Sequence, residues 1–565
     1  MDNILAIDIE TTGLGWDAKV LIVAWSSSDG RFGYFNLGFA DMFTQPDPVP
    51  YVYSQLTEMI RQHEWVAMHN ATFDVPYLVR DGLINIDHLA GKLLDTQLLA
   101  RMTDRHDDGI SLMAVCRKYG INTTESDSKW EYMKSQRAHL DRLSADAVGK
   151  YAVMDTTATL QLATLLLHKV EEQYGVERAA FEGNYVLEIS KMRLRGMPLN
   201  LERIRELIAA KTARKTEIVK ELMAVRTASR PIKSGNDNKN IASWLRSHNV
   251  HPPLTDSGNP VLDEKYLESV RSTNEAVDYV VGLILEYREL DKQLSTWLQG
   301  FLDHNFGDGK VHPLFGAAGT YTYRLNCTQP NAQAVERTMD LFAAPLGWKL
   351  VEADYKAMEL RLSAMYAGEH KFAEIFARGE DFHWSTARML FGENATKEHR
   401  RYAKACNFGI IYGGGANSIA SSTGVDTDHA KEIVTQYKRT FSAIAKASKQ
   451  AEQVWKDRGY LVLAHGARLY ARTEELDVRA YKAFNNLVQA SVAQIAKMAL
   501  LAVASQMPHT QPIAQIHDSL YVLVPEDTAE DDAARISELM TDACPPWLED
   551  RLEPKIRLEV EAKIK

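Results

Sequence analysis

Four side chains recur at every fourth residue in the 565-residue chain: Arg400, Lys404, Phe408 and Tyr412. On an α-helix each falls only ~40° round from the last, giving one stripe of two cations followed by two rings. Such a stripe suits a nucleoside triphosphate, with cations for the phosphates and rings for base and sugar. The same spacing also suits a surface helix whose stems and rings cover a core. A second set is acidic. Asp8 and Glu10 end an apolar run two residues apart, so on a strand they share a face, while Asn70 with Asp74 and Tyr151 with Asp155 have the spacing that shares a helical face. Together Asp8, Glu10, Asp74 and Asp155 suit two hard divalent ions, one activating water against a phosphodiester and one stabilising the departing 3' oxygen, with Tyr151 orienting the water. Any one of these pairs alone is better explained as ordinary surface structure.

The elements that must position these groups follow from pattern. Asn3 to Glu10 reads as a buried strand stopped by Thr11-Thr12-Gly13-Leu14-Gly15. Leu21 to Ser26 and Trp65 to His69 read as further strands, with a helix at Leu56 to His63 between them, which is α/β layering. Leu350 to Asp354 reads as a strand ending in an acid, and Ala514 to Asp518 as one arm of a hairpin whose other arm is Leu520 to Val524. Asp354 and Asp518 stand 164 residues apart, so they form one site only if those strands adjoin. From Leu199 to about His304 the pattern is helical. Between Lys211 and Lys239 eight basic residues (Lys211, Arg214, Lys215, Lys220, Arg226, Arg230, Lys233, Lys239) face three acids (Glu217, Glu221, Asp237), reversing the acidic average of the chain. For most single lysines there a solvated helix face is as good a reading.

The run R-x-x-x-K-x-x-x-F-x-x-x-Y-G from Arg400 resembles the fingers-helix motif of family A DNA polymerases. Asp354-Tyr-Lys-Ala-Met-Glu359-Leu-Arg361 before it and Ile516-His517-Asp518-Ser519 after it resemble the two acidic motifs of that family, in the family's order. The segments at Tyr321 to Asn326, Gln329 to Gln333 and Ala483 to Ser491 resemble its primer-template signatures, and the segment from Ser234 to Leu245 its thumb tip. The sets D-x-E, N-x-x-x-D and Y-x-x-x-D, in that order, resemble a DEDDy-type 3'-5' exonuclease.

The resemblance implies an α/β and α+β multidomain fold: a ribonuclease H-like exonuclease domain over 1–175, palm entry and thumb over 176–310, palm with the first catalytic acid over 311–370, fingers over 371–470, and palm with the second over 471–565. It implies a DNA-directed DNA polymerase with a proofreading nuclease, primer-template DNA and dNTPs as partners, and two Mg²⁺ per active site, with Mn²⁺ able to substitute. Asp354, Asp518 and the backbone carbonyl of Tyr355 would hold metal, and Lys404, Arg400 and His383 would take the phosphates. Phe408 would stack on the nucleoside, Tyr412 would hold the templating position, and Glu359 would exclude a ribose 2'-hydroxyl. Arg324, Asn485, Gln489 and His517 would contact DNA. Phe408, rather than Tyr, implies poor use of dideoxynucleotides. The chain departs from the family pattern at Tyr323 in place of Gly, at Ala332, Ala334 and Lys356-Ala357, at Tyr481 in place of Arg, and at Ser519 in place of Glu.

Composition agrees with a globular protein, 45% hydrophobic and 25% charged, and a formal net charge of -10 neither predicts nor excludes a polyanion partner. Cys116, Cys327, Cys406 and Cys544 stand far apart, against a disulfide framework or zinc site and consistent with a reducing cytoplasm. No apolar run is expected to span a membrane, and the N-terminus enters a strand without signal-peptide architecture. The nuclease resemblance begins at the first residues, so no 5'-nuclease is expected. Nor is a thioredoxin-binding insertion. A C-terminal tail beyond the last strand, read at Leu558 to Lys565, is not expected either. A phage helicase, primase or single-strand-binding protein would be further partners. The competing readings are an exonuclease whose degenerate polymerase domain serves as a DNA-binding platform, a single-subunit RNA polymerase, and a non-catalytic scaffold.

Overall fold

The computed structural model describes residues 3–40, 44–121, 135, 137–225 and 230–565. The chain folds into two compact units, one of 1–196, 313–328 and 344–565, the other of 197–312 and 329–343.

In the first unit a five-stranded mixed sheet opens the fold. Its central strand Ile4–Thr11 runs antiparallel to Val20–Ser27 and parallel to Trp65–Met68, with Phe32–Asn36 and Leu93–Asp95 at the edges. The register sets Asp8 opposite Ala24 and Glu10 opposite Ile22, and a bulge follows Glu10. The first helix, Val49–Gln62, is longer at its start than its apolar residues suggest because Pro at its N-terminal turn favours helix entry. The 30-residue helix Ala145–Tyr174 crosses strands Ile4–Thr11 and Val20–Ser27. Ser144 caps it, and Thr156 joins Ser26 of the sheet at 2.8 Å. That bond fixes the helix immediately beside Asp155.

Helix Glu177–Arg195 then lies across Leu93–Asp95, an approach close enough that a Cβ at Gly183 would sit 2.1 Å from the Leu93 carbonyl oxygen. The same helix packs on Ala483–Gln506, which is flanked by helices Ser442–Arg458 and Ala529–Asp542 and by strand Gln511–Ile516. The stretch 480–506 is long and apolar enough to cross a membrane by composition, contrary to the sequence expectation, and 67% of its most apolar window is buried. A helix surrounded by protein is apolar on every side for that reason.

Four antiparallel strands make the second sheet, in the order Gln511–Ile516, Ser519–Pro525, Trp348–Tyr355, Val560–Ile564. Helices Met358–Ala367, His370–Ala377, Phe382–Phe391, Lys397–Gly409, Ala416–Thr423 and Thr427–Thr440 follow the central strand.

The second unit is helical, as its pattern predicts. Leu201–Ala224 packs on Glu275–Lys292, which continues through a π-helical turn, Gln293–Leu298, into Gln299–Asp303. Leu222, Trp244, Leu245, Val281, Ile284 and Tyr287 are buried in its core. Part of its local excess of positive charge is answered within the unit. Arg214 forms bonds of 2.7 and 2.8 Å to Glu286, Lys215 pairs with Asp291, and Lys211 reaches Gln293. Those acids lie beyond the 211–239 window in sequence and on the facing helix in space. Arg226 lies outside the described residues.

Candidate active sites

Asp8 and Glu10 project from strand Ile4–Thr11, and Asp155 from the long helix crossing it. One carboxylate oxygen of each lies within 4.8 Å of the others, and all three residues are half-buried. Three hard oxygens at that spacing fit a divalent cation. Asp74, expected as a fourth member, lies beside this trio but is not in the set whose oxygens all come within 4.8 Å of one another. It is 3% exposed, and its Oδ1 accepts the Ile9 N–H at 3.2 Å, between the residues that carry Asp8 and Glu10. Burial pushes its carboxyl up, against the Ile9 N–H that lowers it, and Asp95 adds to the rise. Asn70 and Asp74 do not share a helical face: Asn70 is the residue before helix Ala71–Arg80, in the left-handed region at φ 70°. Tyr151 lies one turn before Asp155, 5% exposed, in the apolar cluster with Leu21, Ile22 and Val148.

Asp95 is a residue that pattern reading passed over. Its carboxylate accepts the N–H groups of Asn70, Ala71, Gln97 and Leu98 at 2.9–3.2 Å, capping one helix and tying down the start of the helix that carries Asp74. The signal was there as an acid at a strand end before Thr96.

Strand pairing answers the question posed by Asp354 and Asp518. Asp354, next to last in strand Trp348–Tyr355, pairs with Ser519, so Asp518 at the adjacent hairpin turn comes beside it. Ser519, fully buried, donates its hydroxyl to Asp354. His517, exposed at φ 56°, makes the turn. The Tyr355 ring is buried, and its hydroxyl donates to the Met540 carbonyl.

The helix Lys397–Gly409 is started by Thr396, whose side chain and His399 form a reciprocal capping box. It carries Arg400, Lys404 and Phe408 on one stripe, but not Tyr412. The helix ends at Gly409, and Tyr412 sits in the following turn, still bonding back from its N–H to the Phe408 carbonyl at 2.9 Å. The Gly413-Gly414-Gly415 run ends the helix there, with Gly413 at φ 77° and the Gly414 N–H on the Gly409 carbonyl.

The rings nevertheless form one surface. His383 lies 5.6 Å from Phe408, and Phe408 lies 6.0 Å from Tyr412, centroid to centroid. The Tyr412 hydroxyl donates to Glu359, whose other oxygen takes the Arg324 guanidinium. Burial, then the bond to Glu359, and also the charge of Asp518 push the Tyr412 phenol up, so Asp518, Tyr412 and Glu359 share one neighbourhood. Burial holds the His383 imidazole below its ordinary value. Arg400 is engaged by Asp381 at 2.7 Å, whereas Lys404 is exposed and makes no ion pair among the described residues. Asn485 and Gln489 are half-buried one turn apart on helix Ala483–Gln506, and Asn485 Oδ1 and Arg324 Nε are buried without a hydrogen-bond partner among the described residues. Orphaned polar atoms of this kind suit a polar ligand.

Residues 202–565 match the model of DNA polymerase family A, and residues 2–171 match that of a 3'-5' exonuclease. The chain is 27% identical to a DNA polymerase of Mycobacterium phage D29, covering 97% of this chain and 91% of that one. It is 26% identical to DNA polymerase I of Pseudomonas aeruginosa, covering 96% of this chain but only 61% of that protein. Over 47% of its length it is 32% identical to the thermostable DNA polymerase I of Thermus filiformis, of which it spans 34%. A structure described as the POL domain of Pol1 from M. smegmatis in complex with DNA primer-template and dNTP superposes at a TM-score of 0.78, with 20% identity over 99% of this chain and 94% of that one, which shows the fold. With the family model covering well over half of its residues, this chain belongs to DNA polymerase family A and carries a 3'-5' exonuclease domain ahead of the polymerase.

Proposed function

We propose that the chain extends a primer 3'-hydroxyl on a DNA template with dNTPs and removes misincorporated nucleotides at a separate site. The observation that carries this is the pairing of Asp354 with Ser519, which brings two acids remote in sequence to one sheet end. Asp354, Asp518 and the Tyr355 carbonyl would hold divalent ions at one site, and Asp8, Glu10 and Asp155, with Asp74 beside them, at the other. Magnesium, or manganese in its place, supplies there the charge that activates an attacking oxygen and stabilises a leaving one.

The protein's own groups do the rest. Lys404 meets the triphosphate, and Arg400 exchanges Asp381 for phosphate as the substrate enters, with His383 as a further contact. Phe408 stacks on the nucleoside, and Tyr412 holds the template position. Glu359, fixed from two sides by Arg324 and Tyr412, meets the ribose where a 2'-hydroxyl would stand. Asn485, Gln489 and His517 contact primer-template, and Tyr151 positions water at the nuclease site.

The phage relatives support placing this activity in genome replication within an infected bacterium's cytoplasm, beside a helicase, primase or single-strand-binding protein. The second reading, a nuclease on a degenerate polymerase platform, draws on the altered motif residues Tyr323, Lys356 and Ser519. A 5'-labelled primer on a longer template with Mg²⁺ tests both. Extension lost only in Asp354→Ala, together with shortening lost only in Asp8→Ala, is the expected result. Shortening without extension under every nucleotide and metal condition overturns the polymerase assignment.

A further inference from the structure

Behind the stripe of helix Lys397–Gly409 lies a buried polar chain that the reaction as described does not use. Asn407, Thr386 and Tyr437 are fully buried, among the apolar rings of Phe372, Phe382 and Phe441. Asn407, which immediately precedes Phe408, donates its Nδ2 to His383 Nδ1 at 3.0 Å and to Thr386 Oγ1 at 3.1 Å. The Tyr437 hydroxyl donates to Asn407 Oδ1 at 3.0 Å. His383 and Thr386 stand on helix Phe382–Phe391, and Tyr437 on helix Thr427–Thr440, so one amide joins three helices.

Counting protons fixes which way that amide faces. Thr386 has one hydroxyl proton and spends it on the Phe382 carbonyl at 2.8 Å, so toward Asn407 it can only accept, and that requires Nδ2 on its side. Burial keeps Tyr437 a neutral phenol, well above its ordinary value, and its buried O–H needs an acceptor. Turned over, the amide would set oxygen against oxygen at Thr386 and leave the Tyr437 proton without an acceptor among the described residues. Nδ2 therefore faces His383, and an N–H bonds only a nitrogen with a free lone pair. His383 Nδ1 is that acceptor, so a neutral ring carries its proton on Nε2. Protonating Nδ1 would aim one donor at another.

The surroundings act in the same direction. Burial lowers His383 most, Arg400 and Lys404 on helix Lys397–Gly409 lower it further, and Asp381, itself paired with Arg400, raises it without prevailing. From helix His370–Ala377 the Phe372 and Phe376 rings pack on Phe382, adding no charge there. With Nδ1 turned to the buried amide, Nε2 is left for the half-buried side of the ring beside Phe408. We propose that Asn407, aimed by Tyr437 and Thr386, is a positioning residue that holds His383 in its Nε2-protonated tautomer, so that the ring meets a phosphate of the incoming dNTP as a neutral donor rather than as a third cation. This rests on the phosphate role given to His383 above.

The test uses the full chain with ¹⁵N-labelled histidine, free of metal and substrate. Long-range ¹H–¹⁵N correlation at neutral pH, with His383 assigned by the loss of its signals in His383→Gln, should place the proton on Nε2. In Asn407→Asp, a nearly isosteric change, the carboxylate accepts from Nδ1–H and favours the imidazolium. Single-nucleotide primer extension with Mg²⁺ then gives the KM for dNTP in variant and parent from pH 6 to 9, and their ratio cancels the titration of the substrate itself. That ratio should rise at least about fivefold across the range, because the variant's ring loses a charge that the parent's ring never carries. A merely structural defect would raise it equally at every pH. A parent ring protonated on Nδ1, or on both nitrogens, overturns the proposal, and so does a ratio that is flat with pH. If the parent extends no primer, the polymerase reading fails, while the spectrum still decides which nitrogen carries the proton.

Discussion

Replacing Glu182 by glutamine should loosen the joint between helices Glu177–Arg195 and Ala483–Gln506. Glu182 is 2% exposed and Lys497 1% exposed, and the two pair directly. Arg178 adds bonds of 2.7 Å to Glu182, 3.0 Å to Gln494 and 3.1 Å to the His465 carbonyl. Lys497 also lies 4.6 Å from the Tyr185 ring centroid. Burial alone would raise Glu182, but Lys497 and Arg178 overturn it and hold it below its ordinary value. Lys497 is pulled down, because burial and the neighbouring Arg178 outweigh its one anion. In Glu182→Gln the ammonium keeps its charge unpaired or gives up its proton, and removing one partner of such a pair costs about 3–5 kcal/mol. At 1.36 kcal/mol per decade this is about two to nearly four decades in the opening equilibrium. Hydrogen exchange along Ala483–Gln506 reads that opening directly. The pair Glu182→Met with Lys497→Met should return protection to within about tenfold of the parent, since two apolar groups replace two paired charges. Acceleration below tenfold in Glu182→Gln, or a double variant as open as the single one, would refute the reasoning.

Glu359→Ala should raise ribonucleotide relative to deoxynucleotide incorporation by at least about tenfold, the lower end of what one group's shape selects; single-nucleotide primer extension with each substrate measures it, and an unchanged ratio removes Glu359 as the sugar gate. His69 donates and accepts once, toward Thr96 at 2.9 Å and Ile110 at 3.0 Å, as a neutral ring does, and burial holds it down at about 4. Its folded value lies below the unfolded one of ~6.5, so the stability it contributes is complete above that and is lost as pH falls toward 4. Urea midpoints from pH 7 to 4 should therefore fall more steeply in the parent than in His69→Gln, by at most roughly 3 kcal/mol and less for the ring's partial exposure.

Much of both sites was legible because their chemistry is written in short-range spacing. D-x-E at a strand end and R-x-x-x-K-x-x-x-F fix faces within one element, and the structure keeps those faces. What spacing could not carry was set by groups remote in sequence. Asp74 is held beside the trio by the Ile9 amide, 65 residues away, which takes one of its oxygens. The basic excess at 211–239 is answered in part by Glu286 and Asp291 on a helix not yet reached in the count. Tyr412 leaves the helical stripe for a local reason that periodicity ignores, since a triple glycine ends the helix before the period does. Glu182 and Lys497 were invisible singly, because each looks like an ordinary surface charge until its partner is known.

Tyr323 shows what a departure from the family pattern does physically. The backbone there is left-handed, φ 61°, a conformation that suits glycine and costs a residue with a Cβ about 1–2 kcal/mol. The family's glycine is thereby explained, and the tyrosine at first looks like decay. Yet the ring is 2% exposed, and its single hydroxyl proton is donated to the Arg468 carbonyl at 2.7 Å, with the Arg101 carbonyl at 3.2 Å as a weaker, shared acceptor. Burying such a ring contributes ~2 kcal/mol and its one hydroxyl bond about 1 kcal/mol, enough to offset the strain. The gain also falls at a useful place, since Tyr323 precedes Arg324 and its hydroxyl lies between helix Thr96–Thr103 and the hairpin that carries Arg468. A motif abandoned by selection would lose contacts around the altered residue, whereas this one has acquired them, and the guanidinium beside it still holds Glu359. The altered signature thus weighs against a degenerate polymerase domain and for a primer-site loop anchored in a different way.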